Sequence, residues 1–374
     1  MTADNRNGGI AMHRFLIRSI VVMGLSLACL GAGAAETIRQ WQFAPQGETL
    51  TLALREVEAR APARHEVAVR VHAVSLNRRD LMMVAGRYGR GGTQPNSVPL
   101  SDGAGEVIAV GADVTRFKVG DRVAGIFFED WLEGAPTAAA LATARGGNAG
   151  GMLSEIVVTD AEGLVTIPAH LSYEEAATLP CAGVTAWVGL FKRGQLQAGD
   201  FVLLEGTGGV SVFGLQLAAA AGAKPIITSS SDAKLARARE LGAFGTINYR
   251  TNPEWQQEVR ALTGGAGVDH VLEVGGQDTL PRALQALGFG GHIAIIGGLS
   301  GFASDVPVGT LMGLNATASG IYVGSRADFE ALNAFLTEHK IKPVVDKVFE
   351  LTDAPAAFAA MDSGDFFGKI VIRL

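Results

Sequence analysis

Within Asp200-Phe-Val-Leu-Leu-Glu-Gly-Thr-Gly-Gly-Val-Ser-Val-Phe-Gly214 an apolar run breaks into glycines and reopens as helix-forming sequence. A turn of that composition can take an anion. Gly206 permits the tight turn, and Gly208 and Gly209, with Thr207 between Gly206 and Gly208, let backbone approach a phosphate with no side chain between. The helix entered through Val210 and Ser211 points unpaired N–H groups and the positive end of its dipole at the bound anion. Ser211 replaces the third glycine of G-x-G-x-x-G and is small enough to keep helix and sheet in contact. Such turns also arise for structural reasons alone, so the surrounding elements decide.

Those elements alternate. The pattern predicts helices over 210–221, 232–241, 254–262 and 280–287, and strands over 225–231, up to Tyr249, over 268–274 and over 292–296. Strand–helix alternation calls for an α/β fold with a doubly wound parallel sheet, whose ligands sit at the carboxyl ends of the strands. Gly275-Gly276 and Gly297-Gly298 fall at two of those ends, and we assign Gly275, Gly297 and Gly298 to the cofactor cleft; the competing reading is simple turn chemistry. At the end of the second strand, where an acid would hold the adenosine ribose of NAD, stand Ser229, Ser230 and Ser231. Lys234 follows, and Tyr249-Arg250 end the next strand. Hydroxyls with a cation suit a 2′-phosphate, so NADP(H) is favoured over NAD(H). Ser231 or Asp232 also caps the following helix.

The chain has 374 residues, 48% of them hydrophobic and 18% charged, with a formal net charge of −6. That suits a two-domain soluble enzyme, and the lack of a basic block argues against nucleic acid as a partner. Two cysteines, Cys29 and Cys181, give no disulfide framework. Residues 1–35 read as a secretory signal peptide: a basic start through Arg18, an apolar run over 20–30 too short to span a bilayer, and small residues up to Ala35. The mature chain would then be periplasmic or secreted, with no stable membrane span. A cytoplasmic enzyme with a misassigned upstream start is the alternative, because NADP(H) has no obvious supply outside the cytosol.

Residues 36–170 change to short alternating segments such as Val67-Ala-Val-Arg-Val-His-Ala-Val74, which predict a β-rich domain. Residues 127–152, rich in Ala and Gly without a clear period, read as a long loop, either a lid or an insertion. Five stretches then carry a resemblance: Val74-Ser-Leu-Asn-Arg-Arg-Asp80, Pro99-Leu-Ser-Asp-Gly-Ala-Gly-Glu-Val107, Arg116-Phe-Lys-Val-Gly-Asp-Arg-Val123, Ala176-Ala-Thr-Leu-Pro-Cys-Ala-Gly-Val-Thr-Ala-Trp187 and Phe367-Gly-Lys-Ile-Val-Ile372. Over residues 41–374 the chain resembles the medium-chain dehydrogenase/reductase superfamily, in its zinc-free quinone-oxidoreductase and enoyl-reductase-like group. The resemblance implies a GroES-like catalytic domain at 36–170, a Rossmann NADP-binding domain at 171–314, and a last Rossmann strand with a return to the catalytic domain at 315–374.

Zinc alcohol dehydrogenases of that superfamily hold their metal by Cys, His and Cys, often with a nearby Glu. Here Asn77, Ser101 and Asp102 stand at the first Cys, His and Glu positions, with Cys181 near the last ligand. One thiol and one carboxylate without imidazole do not make a three-ligand zinc site, so no zinc is expected. The resemblance instead implies Asn77 and Thr185 as cleft residues that polarise an acceptor oxygen, with Tyr88 as a proton donor. The structural alternatives are a turn residue, a hydroxyl bonded to its own helix, and a ring packed over the domain seam. Lys369 lies where the family brings a cation to the cofactor pyrophosphate, and residues 320–326 resemble a segment through which two subunits extend one sheet, implying a homodimer. The expected activity is hydride transfer between NADP(H) and a small carbonyl, enone, quinone or alcohol substrate. A non-catalytic NADP(H)-binding redox sensor and a residual zinc alcohol dehydrogenase are the alternatives.

Overall fold

The computed structural model describes residues 36–374 apart from Glu48, 89–92, 304–305 and 307. The expected signal peptide at 1–35 lies outside the described residues. Among the described residues no helix is long and apolar enough to cross a membrane.

Period-two alternation builds the first half. Strands β1 (Thr37–Gln46) and β2 (Thr49–Glu58) pair as an antiparallel hairpin, Trp41 opposite Leu54. Strands β3 (Glu66–Ser75), β4 (Asp102–Val110), β5 (Arg122–Gly125), β6 (Ile156–Asp160) and β7 (Leu164–Thr166) follow. Val67 and Val69 of β3, Val107, Val123 and Leu164 turn to one side and pack with Phe117, removing apolar surface from water. The last two strands of the chain, β14 (Val345–Glu350) and β15 (Lys369–Arg373), return to this sheet, whose order is β14-β15-β3-β4-β5-β7 with β6 also on β3. That return brings the end of β3, and Asn77 just beyond it, beside Lys369.

The second half is a six-stranded sheet of β8 (Phe201–Leu204), β9 (Lys224–Ser229), β10 (Gly245–Asn248), β11 (Val268–Glu273), β12 (Leu287–Ile295) and β13 (Thr317–Gly320). All pairs are parallel, in the order β10-β9-β8-β11-β12-β13. Leu203, Ile226, Val271 and Ile293 bury one face against Trp255, Val259 and Ala283. Their neighbours Val202, Leu204, Ile227, Leu272 and Ala294 belong to the core on the other face, with Val212 and Leu215. Both faces are therefore apolar, which is why these strands read as continuous hydrophobic runs. The order reverses between β8 and β11, the point at which sheets of this kind take their ligands above the strand ends.

Residues 127–152 pack at both ends and are exposed over 133–139. Phe127, Phe128 and Trp131 are buried, a short helix spans Ala138–Leu141, and the side chain of Arg145 is 1% exposed. Its guanidinium pairs with Glu129 at 2.7 Å and donates to Ile126 O (3.0 Å) and Thr159 Oγ1 (2.7 Å). Removing one partner of such a pair strands the other charge. Arg145→Met is expected to lower the unfolding free energy by about 3–5 kcal/mol in urea titrations, with part of the loss recovered in Arg145→Met/Glu129→Met. A loss below about 1 kcal/mol would mean that this arginine does not pin the segment.

Candidate active site

The glycine turn lies at the carboxyl end of β8. Gly206 has φ +71°, a conformation that a side chain would strain, and its N–H donates to Thr228 Oγ1 at 3.1 Å. A Cβ at Gly208 would meet nothing within 4 Å, so this backbone faces open space, and the helix Gly209–Ala220 starts from it. Gly209 is small for a reason the sequence did not suggest: a Cβ there would lie 2.7 Å from Lys369 Cδ and 3.2 Å from Ala182 Cβ. Val210 is half-buried against the core. Ser211 donates its hydroxyl to Glu205 O at 2.6 Å, while the close approach of helix to sheet falls at Gly214, whose Cβ would lie 2.7 Å from both Leu204 and Leu272.

The second strand end gives a mixed outcome. The Thr207 and Ser229 hydroxyls are 3.4 Å apart, Ser230 is half-buried, and Tyr249, its ring exposed, donates its N–H to Ser229 O at 3.1 Å. Lys234 already has protein partners. Its ammonium donates to Gly364 O at 3.0 Å and lies 3.7 Å from Asp365, so the cation expected at a 2′-phosphate is committed to the turn before β15.

At the reversal point the structure brings together two carboxyls that sequence reading missed. Glu273 Oε1 accepts the N–H of Gly275 (2.7 Å) and Gly276 (2.9 Å) and the Thr279 hydroxyl (2.8 Å). Glu205 Oε2 accepts Val274 N–H at 3.2 Å and Gly275 N–H at 3.4 Å. Both side chains are buried, and neither has an ion pair among the described residues. Burial, then the Glu273 carboxyl beside it, holds the Glu205 pKa well above the usual carboxylate range. The only sequence signal was an acid closing each of two apolar runs. The glycine pairs here serve backbone packing: a Cβ on Gly276 would lie 2.7 Å from Gly298 Cα, one on Gly297 2.6 Å from Val274 O, and one on Gly298 2.6 Å from the Phe302 ring.

Across the cleft, Asn77 precedes the helix Arg78–Val84 and is 8% exposed. Its N–H donates to Asp80 Oδ2 at 2.7 Å, so Asp80 holds the helix start and makes no ion pair with Arg78 or Arg79; burial raises the Asp80 carboxyl to about 6, against the opposing charge of Arg79. Asn77 Oδ1 accepts from the Lys369 ammonium at 2.6 Å, and Asn77 Nδ2 is buried with no partner. Ser101 donates to Asp102 Oδ1 (2.6 Å), and Asp102 Oδ2 accepts the Cys181 N–H (3.1 Å). Burial, then Asp102, pushes the Cys181 thiol up. A neutral thiol, an engaged carboxylate and an ammonium bonded to Asn77 do not suit a zinc ion, which needs deprotonated or imidazole donors.

Lys369, expected at the pyrophosphate, places its ammonium 2.6 Å from both Asn77 Oδ1 and Leu76 O. The Tyr88 hydroxyl bonds to that of Tyr322 at 2.8 Å across the seam, Arg79 lies 4.8 Å from its ring, and burial raises its pKa. Thr185 is buried in the helical segment after Cys181, and its hydroxyl makes no hydrogen bond among the described residues, which removes the helix-bonded alternative.

Comparison with known proteins places the chain in a family that includes zinc-type members. Residues 63–169 match the family model "Alcohol dehydrogenase GroES-like domain", and residues 209–338 match "Zinc-binding dehydrogenase". A zinc-type alcohol dehydrogenase-like protein of Schizosaccharomyces pombe is 44% identical over 83% of this chain and 91% of its own length. A quinone oxidoreductase of Pseudomonas aeruginosa is 33% identical over 83% of this chain and 87% of its own. The crystal structure of a putative alcohol dehydrogenase from Sinorhizobium meliloti superposes with a TM-score of 0.85 at 42% identity, covering 91% of this chain and 99% of the other.

Proposed function

The chain belongs to the medium-chain dehydrogenase/reductase superfamily, and from that premise we propose that it is an NADP(H)-dependent, zinc-independent oxidoreductase acting on a small carbonyl, enone or quinone. The observation that carries this reading is the buried, unpartnered amide donor of Asn77, held by a lysine that crosses the nucleotide turn. The residues that would hold the cofactor are Gly206 to Gly209, the N–H groups opening the helix Gly209–Ala220, and, for a 2′-phosphate, Thr207, Ser229 and Ser230. When bound, the nicotinamide supplies or accepts the hydride.

The chain supplies the rest. Asn77 Nδ2 donates to the acceptor oxygen as negative charge develops there, and the low-dielectric surroundings make that bond stronger than in water. Thr185 offers a second donor, its hydroxyl. The Tyr88 and Tyr322 rings, backed in the core by Phe127 and Phe128, offer aromatic surface that suits a flat conjugated acceptor. The β13 edge of the parallel sheet, with exposed Phe302, Val308 and Met312 nearby in sequence, supports a homodimer.

The test is a titration with NADPH and NADH, followed by NADPH oxidation over a quinone and enone panel with a chelator present. We expect NADPH to bind at least about tenfold more tightly, a difference of about 1.4 kcal/mol, and turnover to be insensitive to chelator. Binding without turnover would replace this reading by a redox sensor, chelator-sensitive turnover by a zinc enzyme. Tighter binding of NADH would remove the 2′-phosphate assignment of Ser229 and Ser230.

A further inference from the structure

We propose that Lys369 is a positioning residue for hydride-acceptor chemistry and not a pyrophosphate ligand: it fixes the Asn77 side-chain amide so that the N–H face is the one offered to the acceptor oxygen. This rests on the reading of Asn77 as the acceptor-oxygen donor. An asparagine amide has the same shape in both flipped orientations, so only its neighbours decide which atom points where. An ammonium donates and never accepts. Bonded at 2.6 Å, it can face only Oδ1, which leaves Nδ2 as the free, buried donor.

The lysine is itself tightly placed. Its residue is 3% exposed, and a second bond at 2.6 Å to the Leu76 carbonyl anchors the ammonium to the backbone that ends β3. Its main chain is fixed by Lys369 N–H on Val344 O (3.0 Å) and by Gly368 N–H on Thr207 O (3.0 Å), where Gly368 also bridges Gly208. Gly368 has φ +85°, which a glycine adopts without strain. From there the side chain passes through the space that a Cβ on Gly209 would fill, 2.7 Å from Lys369 Cδ. One side chain thus ties the nucleotide turn to the acceptor donor. The ammonium also draws electron density from Oδ1, which makes the Nδ2–H groups better donors.

The experiment uses the full chain with Lys369→Met, Lys369→Gln and Asn77→Ala, reading NADPH affinity by fluorescence and kcat with the best acceptor at saturating NADPH. Lys369→Met is expected to lower kcat by about 10²-fold, the cost of a misplaced group, while the NADPH Kd moves less than about threefold. Lys369→Gln can still donate to Asn77 Oδ1 and is expected to recover at least about tenfold of that loss. It also keeps the proposal open to test where the methionine variant fails to fold. Asn77→Ala/Lys369→Met is expected to be no worse than Asn77→Ala, because the lysine acts through the asparagine.

A rise of tenfold or more in NADPH Kd with kcat preserved would overturn the proposal and restore the pyrophosphate role. Full activity in Lys369→Met alongside an impaired Asn77→Ala would overturn it while sparing the reading of Asn77. Full activity in Asn77→Ala would remove that reading first, and the positioning role with it.

Discussion

Asn77→Ala is expected to lower kcat by about 10²- to 10³-fold at saturating NADPH, the usual cost of removing one preorganised donor at a developing oxyanion. Its side-chain amide gives one acceptor to Lys369 and leaves Nδ2 buried without a partner. Its backbone stays extended, at φ −130°, with its N–H on Asp80, so the start of the helix Arg78–Val84 is expected to survive truncation. Aspartate at this position separates the two functions. Asn77→Asp keeps an acceptor for the lysine, and strengthens it by charge, yet offers no donor to the substrate. It is therefore expected to lose as much kcat as alanine while keeping thermal stability near that of the parent. Steady-state kinetics beside thermal melting distinguish these outcomes. An Asn77→Asp variant that keeps its turnover would show that the amide N–H does not contact the reacting oxygen.

The parallel sheet was legible because its strands and helices are local and strongly patterned. Most of the apolar runs give way within a residue or two to glycine or serine, and the strand–helix alternation called for a parallel sheet. What escaped were pairings that only the folded topology creates. Lys369 meets Asn77 across 292 residues, and Lys234 meets Gly364 across 130, so a lysine near a serine-rich strand end looked free when it was already engaged. Glu205 and Val274 are 69 residues apart and become neighbours only because β8 pairs with β11 and not with β9 alone. The β1–β2 hairpin escaped for a related reason. Trp41 and Phe43 take their other backbone partners from Leu153 and Ser97, far along the chain, so nothing in the local pattern announces where the strand docks. Glycine was read correctly in position but partly for the wrong cause: at Gly209 the missing Cβ makes room for a lysine, whereas at Gly208 it leaves the backbone facing open space.

Raising the pH is expected to destabilise this protein through the Glu205–Glu273 pair, and Glu205→Gln to remove that component. The folded-state pKa of Glu205 lies well above its unfolded value because burial and the neighbouring Glu273 carboxyl both disfavour a second negative charge. The sign follows from linkage. A carboxyl that binds its proton more tightly when folded contributes stability fully present below its unfolded pKa, about 4.3, and lost as pH rises through its folded pKa. Within that window the component falls by about 1.4 kcal/mol per pH unit. Glutamine fits the same place without titrating: its amide can donate to Glu273, and its oxygen can accept the Val274 and Gly275 N–H groups that Glu205 Oε2 now accepts. Other ionisable groups, including Glu66, whose Arg60 contact holds it down at about 2, and His292, lowered by burial to about 4, are unchanged by the substitution and cancel in the difference. Urea unfolding of parent and Glu205→Gln between pH 5 and 9 should therefore diverge, with the variant gaining on the parent as pH rises until the pair has titrated. Since the pair holds the amides of Val274 to Gly276 just beyond the carboxyl end of β11, beside the glycine turn that follows β8, NADPH affinity is expected to follow the same divergence. Parallel stability curves across that range would mean that Glu205 does not bind its proton more tightly in the folded state.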